Sequence, residues 1–241
     1  MTAAPGARSH ARTAGLLYLA VVATGTFSLG YVPSLVSVPG DTAATVRALT
    51  AHEALFRAGL ASSAACYVAF LLLPLALHRL LAPAGPAAAA LMVAFAVVSV
   101  PLSFSALAHR AEILSLLADP ALAGGALEAE VARALRAYGN GLLVAKVFWG
   151  LWLLPLGWLV FRSRAVPRVL GVLLALGCAG YLLEVFGRLL SPAYPGSTLA
   201  GLATLPAALG EIGTCLALLL VGFWPARRPS RAILEGGPRD A

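Results

Sequence analysis

Three ionisable residues stand inside long apolar stretches of this sequence: Lys146, Glu184 and Glu211. Such groups are costly in lipid, and they mark either a functional site or a pair that fixes packing. Two carboxyls and an amine among aromatic side chains suit acid–base chemistry. A carboxylic acid kept neutral in an apolar pocket donates a proton, and a neighbouring cation tunes it or positions a substrate. Depth follows from the rise of a helix. Counted from the expected outer ends of their spans, Lys146 lies roughly 14 Å in and Glu211 roughly 18 Å in, so the two can pair near the midplane if their helices touch. Glu184 lies roughly 6 Å in and Arg57 roughly 5 Å in. Glu53 and Arg57, like Glu184 and Arg188, have the acid-first spacing of four that favours a helical ion pair.

The candidate catalytic set is therefore Glu211, Glu184 and Lys146. Arg57, Asn140 and Arg188 are the expected polar walls of a pocket that opens to the outer leaflet. Trp149, Trp152, Tyr181 and Phe186 are its expected aromatic lining, because aromatic faces hold cations or lipophilic chains. The competing expectation is a static Lys146–Glu211 ion pair that only fixes helix packing.

Other chemistries have no signature. The chain has no glycine-rich phosphate loop, no nucleotide fingerprint and no aspartate-rich repeat. Cys66, Cys178 and Cys215 fall in three different spans with no paired spacing, and they read as small buried apolar residues. His10, His52, His78 and His109 form no pair at three- or four-residue spacing, so neither a metal nor another cofactor is expected. The basic excess carries no aromatic-interleaved polar surface, which argues against nucleic acid.

The elements that must position the site follow from composition. The chain has 241 residues, 60% hydrophobic and 11% charged, with a mean hydropathy of +0.89. A soluble domain carries about 25% charged residues. So few charges cannot wet a globule of this size, which excludes a soluble enzyme, and the hydrophobicity excludes a disordered chain. The expected fold is all-α: a polytopic transmembrane helix bundle forming one domain over residues 1–225, with a loose polar tail at 226–241. Six stretches have the length of a membrane span, about 14–36, 54–77, 86–108, 137–161, 169–188 and 199–224. Prolines inside them (Pro33, Pro74, Pro101, Pro155, Pro206) predict kinks whose freed carbonyls neighbouring groups must satisfy.

Arginine placement predicts the orientation. With the N-terminus inside, ten arginines fall on the cytoplasmic side and six on the outer side, which also holds six acidic residues. This places both termini in the cytoplasm and the chain, multi-pass, in the cytoplasmic membrane. Arg8 and Arg12 before an apolar run mimic a signal peptide, whose cleavage would leave five spans; the run continues to Val38, which favours retention. Two outer loops stand out. Residues 37–53 contain a Pro39-Gly40 turn and a short helix capped by Asp41, and residues 110–136 break at Asp119-Pro120 and Gly124-Gly125. Trp158 and Trp224 read as interfacial anchors.

Several blocks carry a resemblance. They are Arg12-Thr13-Ala14-Gly15-Leu16-Leu17-Tyr18-Leu19, Val38-Pro39-Gly40-Asp41-Thr42-Ala43-Ala44-Thr45 and Glu53-Ala54-Leu55-Phe56-Arg57-Ala58-Gly59. The strongest is Phe148-Trp149-Gly150-Leu151-Trp152-Leu153-Leu154-Pro155-Leu156-Gly157, followed by Pro167-Arg168-Val169-Leu170-Gly171, Gly180-Tyr181-Leu182-Leu183-Glu184 and Pro206-Ala207-Ala208-Leu209-Gly210-Glu211. In this order and spacing, over residues 11–224, the chain resembles a bacterial six-helix membrane family catalogued only as a domain of unknown function. The resemblance implies an acid, usually aspartate, at the position of Glu184, a polar or histidine position at Asn140, and the acid of Glu211 as it stands. It implies a polar amide where this chain has Lys146, so the lysine is a departure.

These readings lead to an intramembrane acid–base enzyme acting on a lipophilic, isoprenoid-like substrate, such as a protonation-triggered cyclase or isomerase. A proton-coupled small-molecule transporter and a structural or regulatory membrane partner are the alternatives. The expected partners are the bilayer, a lipophilic small molecule and a second copy of the chain.

Overall fold

The computed structural model describes residues 5–223. The tail at 226–241 and Trp224 lie outside the described residues. All regular structure among the described residues is helical: α1 Pro5–Gly25, α2 Val32–Val36, α3 Thr42–Ala51, α4 Glu53–Leu81, α5 Pro86–Ala118, α6 Gly124–Leu151, α7 Leu153–Ser163, α8 Arg168–Leu190, α9 Thr198–Leu202 and α10 Leu205–Phe223. They group into six segments long and apolar enough to cross a membrane: Gly6–Val36, Glu53–Ala84, Pro86–Ala118, Gly124–Ser163, Arg168–Leu190 and Thr198–Phe223.

Every expected span is present, and most run further than hydropathy indicates. α5 continues ten residues past Ala108, and α6 begins at Gly124 instead of near Ala137. The extensions are amphipathic rather than uniformly apolar. They pair above the apolar layer through Arg133, which bridges Glu130 at 2.7 Å and Glu112 at 3.3 Å. Exposed ion pairs of this kind contribute little each, so helical continuity and the buried Ile113, Val131 and Ala134 hold this end together.

Two of the five prolines interrupt their segments, near Pro33 and Pro155; Pro74 and Pro101 lie inside the continuous α4 and α5, and Pro206 stands in the first turn of α10. Pro155 has no N–H for the carbonyl of Leu151, and the fourth segment breaks between α6 and α7 at Trp152. In the first segment Thr26–Tyr31 forms a π-helical turn between α1 and α2, with the Val32 N–H reaching back to the Phe27 carbonyl. The next donor in that register would be residue 33, which is proline. The Ser28 carbonyl therefore has no helical donor.

α1 packs on α4 and α10, α8 packs on α7, α10 and α6, and α5 packs on α4 and α6. Close approach of α8 to α10 depends on glycine. A Cβ on Gly177 would stand 2.6 Å from the Ala207 Cα, and one on Gly180 would run into the Ala203 carbonyl. Small residues of this kind let membrane helices meet backbone to backbone. At the other edge of α10, Gly222 lies against Arg12 of α1, so the two ends of the described chain share one end of the bundle. Large apolar side chains such as Leu176, Leu189, Leu190 and Leu209 cover the outside, where lipid is their solvent.

The expected short helix of the first loop is α3. Asp41 caps it by accepting a 2.8 Å hydrogen bond from the Ala44 N–H, after a turn in which Gly40 has φ +78°.

Candidate functional site

Glu211 projects from the second turn of α10 into a cleft between five segments. α1 supplies Val21 and Gly25 and the π-turn after it Leu29; α4 supplies Cys66, Tyr67 and Phe70. Trp149 of α6, Trp152 at the α6–α7 break and Tyr181 of α8 close the cleft. It is a cleft rather than a sealed void, and its volume is about 130 Å³. Ligand pockets for drug-sized molecules run to about 300–1,000 Å³, whereas a cavity of about 150 Å³ takes a benzene ring. The space thus fits one small apolar unit and not a whole large ligand.

The carboxyl meets neutral groups. The Tyr18 hydroxyl donates to Glu211 Oε1 at 3.4 Å, a long bond. Tyr67 lines the cleft with its hydroxyl buried and without a protein partner. Trp152, 1% exposed, stacks edge-on against Phe70 at 4.9 Å and lies 6.2 Å from the Tyr18 ring, so the aromatic wall is rigid.

The expected Lys146–Glu211 pair does not form. Lys146 Nζ instead donates to Glu184 Oε1 at 2.7 Å, and Arg188 Nε stands 3.3 Å from the same oxygen. Helix register explains the difference. Lys146 of α6 lies opposite Glu184 of α8, whereas Gly210 of α10 lies against Leu173 and Leu174. Glu184 and Leu174 are ten residues apart on α8, about 15 Å along its axis. The depth count failed because helix ends do not mark one common plane: α6 runs out to Gly124 while α8 ends at Leu190, and it is the contact with Glu184 that sets the level of Lys146.

The candidate residues therefore divide. Glu211, Trp149, Trp152 and Tyr181 share the cleft. Lys146, Glu184 and Arg188 form an ion cluster between α6 and α8 that satisfies itself. Arg57 is exposed and bridges Glu53 at 2.7 Å, as its spacing predicts, away from the cleft. Asn140 and Phe186 are exposed on the bundle surface and line no part of it. Sequence reasoning missed Tyr18, Cys66, Tyr67 and Phe70. Cys66, Tyr67 and Phe70 repeat at helical spacing on α4, which was a readable sign of one buried face.

The three cysteines are free and buried, and the described residues hold no group of three or more side chains able to ligate a metal. The fold and cleft define a six-helix polytopic membrane protein with one carboxyl set among aromatic residues. Residues 13–222 match the family described as a domain of unknown function, DUF4386, and the chain belongs to that family. No curated protein and no solved structure matches the chain.

Proposed function

We propose that this protein is an intramembrane acid–base enzyme that acts on one unsaturated, isoprenoid-like unit of a lipophilic molecule, with Glu211 as the acid. One observation carries the reading: Glu211 reaches a cleft whose other walls are aromatic or apolar, while the nearby cations Lys146 and Arg188 are both held on Glu184 instead. The neutral carboxyl delivers its proton to a carbon–carbon double bond. The cation that forms lies among Trp149, Trp152, Tyr181 and Phe70, whose faces are electron-rich. Loss of a proton from an adjacent carbon back to the carboxylate completes an isomerisation, so no proton is gained or lost. Tyr18 holds the carboxyl in place. The cleft takes only the reacting unit, and its open side leaves the rest of the molecule in lipid. In the cell we place the shared end of the chain in the cytoplasm, following the arginine bias.

The test is protein in lipid nanodiscs, incubated in heavy water with isoprenoid lipids of graded length. Mass spectrometry then follows deuterium on carbon. Reversible protonation writes the label into the lipid whatever the product. General acid–base catalysis contributes about 10²–10⁴-fold, so Glu211→Gln should lower the labelling rate by that order. Wild-type labelling in Glu211→Gln, or no labelling above empty nanodiscs, refutes the proposal.

A further inference from the structure

Arg110 was expected in an outer loop, yet it lies within α5 and is only 3% exposed. One nitrogen, Nη1, donates to the Ser28 carbonyl at 3.1 Å and to the Tyr138 hydroxyl at 3.3 Å. The guanidinium also lies 5.4 Å from the Phe56 ring and 5.1 Å from the Tyr138 ring. Ser28 is the residue whose carbonyl Pro33 leaves without a donor, so Arg110 straps the π-turn. That accounts for one side of the fork. A guanidinium has five N–H donors, and Nε and Nη2 meet no acceptor among the described residues. No carboxylate of the described residues lies within 4.0 Å of it, so this buried charge has no counter-ion. An uncompensated buried charge is costly, and arginine stays charged.

The same guanidinium lines a second cavity of about 230 Å³. Its polar lining residues beyond Arg110 are Tyr138, Ser37 and Thr45, of which Thr45 already donates to the Val38 and Asp41 carbonyls; Val36, Leu49 and Leu135 are among its apolar walls, and α3 contributes Thr45 and Leu49. Tyr138 accepts from Arg110 and keeps its own proton to donate. The cation, the hydroxyls of Tyr138 and Ser37 and the missing counter-charge together point to an oxyanion. Position specifies its setting. Arg110 is 24 residues from Pro86, about 36 Å along α5. The hydrocarbon layer is about 30 Å thick, so the guanidinium sits at headgroup level beyond it.

We infer that Arg110 and the cavity beneath α3 bind a phosphate-type oxyanion, with the planar fork engaging two of its oxygens. The apolar walls suit the first carbons of an attached chain. This site is independent of the Glu211 cleft, and neither stands or falls with the other.

The experiment uses the full chain purified in a non-ionic detergent, with inorganic phosphate and dodecyl phosphate as separate probes. Binding is read by the shift in thermal midpoint and by native mass spectrometry. A shift with inorganic phosphate assigns a free anion; a shift with dodecyl phosphate alone assigns a lipid headgroup; either supports the site. Arg110→Gln should weaken binding at least tenfold. Because that variant also cuts the strap to Ser28, Leu135→Trp provides the second reading: it keeps Arg110 and its strap but fills the cavity, and it should weaken binding as much. The inference is overturned if neither probe binds the wild type, or if Leu135→Trp binds as the wild type does.

Discussion

The pairing of Lys146 with Glu184, and not with Glu211, is open to a direct thermodynamic test. Two unit charges 2.7 Å apart attract by about 6 kcal/mol at an effective dielectric of about 20, but desolvation returns most of that. Removing one member of a fully buried pair costs about 3–5 kcal/mol. Here the cost is smaller for two reasons. The Lys146 side chain is 26% exposed, and Arg188 at 3.3 Å still faces Glu184 when the lysine is gone. Polar pairs in membrane bundles couple by about 0.6 kcal/mol on average and up to about 1.7. Lys146→Met should therefore destabilise by about 1–2 kcal/mol, and the Lys146→Met, Glu184→Leu double variant by no more than the worse single, giving a coupling of about 1 kcal/mol. Lys146→Met with Glu211→Gln should couple by less than about 0.5 kcal/mol, because the two side chains form no ion pair and share no hydrogen-bond partner. The assay is reversible unfolding in mixed micelles with a denaturing detergent, run on both cycles. A larger coupling for the Lys146–Glu211 cycle would refute the register of α6, α8 and α10 on which the site rests.

Three further outcomes follow from local geometry. Gly180→Leu drives a side chain into the Ala203 carbonyl, so the midpoint of thermal unfolding should fall by at least the equivalent of about 1–3 kcal/mol, whereas Gly201→Leu, in open space, should leave it unchanged. Asp41→Ala removes the cap of α3 at about 1 kcal/mol; hydrogen exchange should rise across residues 42–51 with no change in α8 or α10. Pro33→Ala restores an N–H opposite the Ser28 carbonyl, so the loss of stability caused by Arg110→Met should shrink by about 1 kcal/mol in that background. An undiminished loss would mean that the strap to Ser28 is not what Arg110 contributes.

Six helices and their order were legible because hydrophobic length is a one-dimensional signal, and lipid requires every spanning backbone to satisfy itself. The cap at Asp41, the Glu53–Arg57 pair and the break near Pro155 were legible for the same reason: each is decided within four residues. What the sequence hid was register between helices. Lys146 meets Glu184 through the packing register of α6 on α8, and hydropathy has no mark for a helix that leaves the apolar layer without ending, so depths counted from hydropathy edges do not share an origin. Arg110 was hidden by the same omission: once the third span was closed at Ala108, the arginine fell into a loop. Yet the spacing Ala106, Leu107, Arg110, Ile113 continues one buried face, so helical periodicity past the hydropathy edge would have found it. Glu211 was found because its neighbours on α10 are uniformly apolar.

The two voids follow one another along the first segment, and what stands between them bears on the choice between enzyme and carrier. Val21 and Gly25 of α1 and Leu29 of the π-turn line the Glu211 cleft, whereas Pro33, Val36 and Ser37, beyond the turn, line the second cavity. A proton-coupled carrier using Glu211 needs protons to reach it from the far face. Along this segment stands the turn that Arg110 straps, and a fixed guanidinium there would repel protons and cations. On the proposed readings, the same charge would draw an anion to the far side of the turn. A carboxyl walled by tryptophan and tyrosine, with room for about one ring, supports the proposed exchange of a proton with a hydrocarbon over a relay across the bilayer.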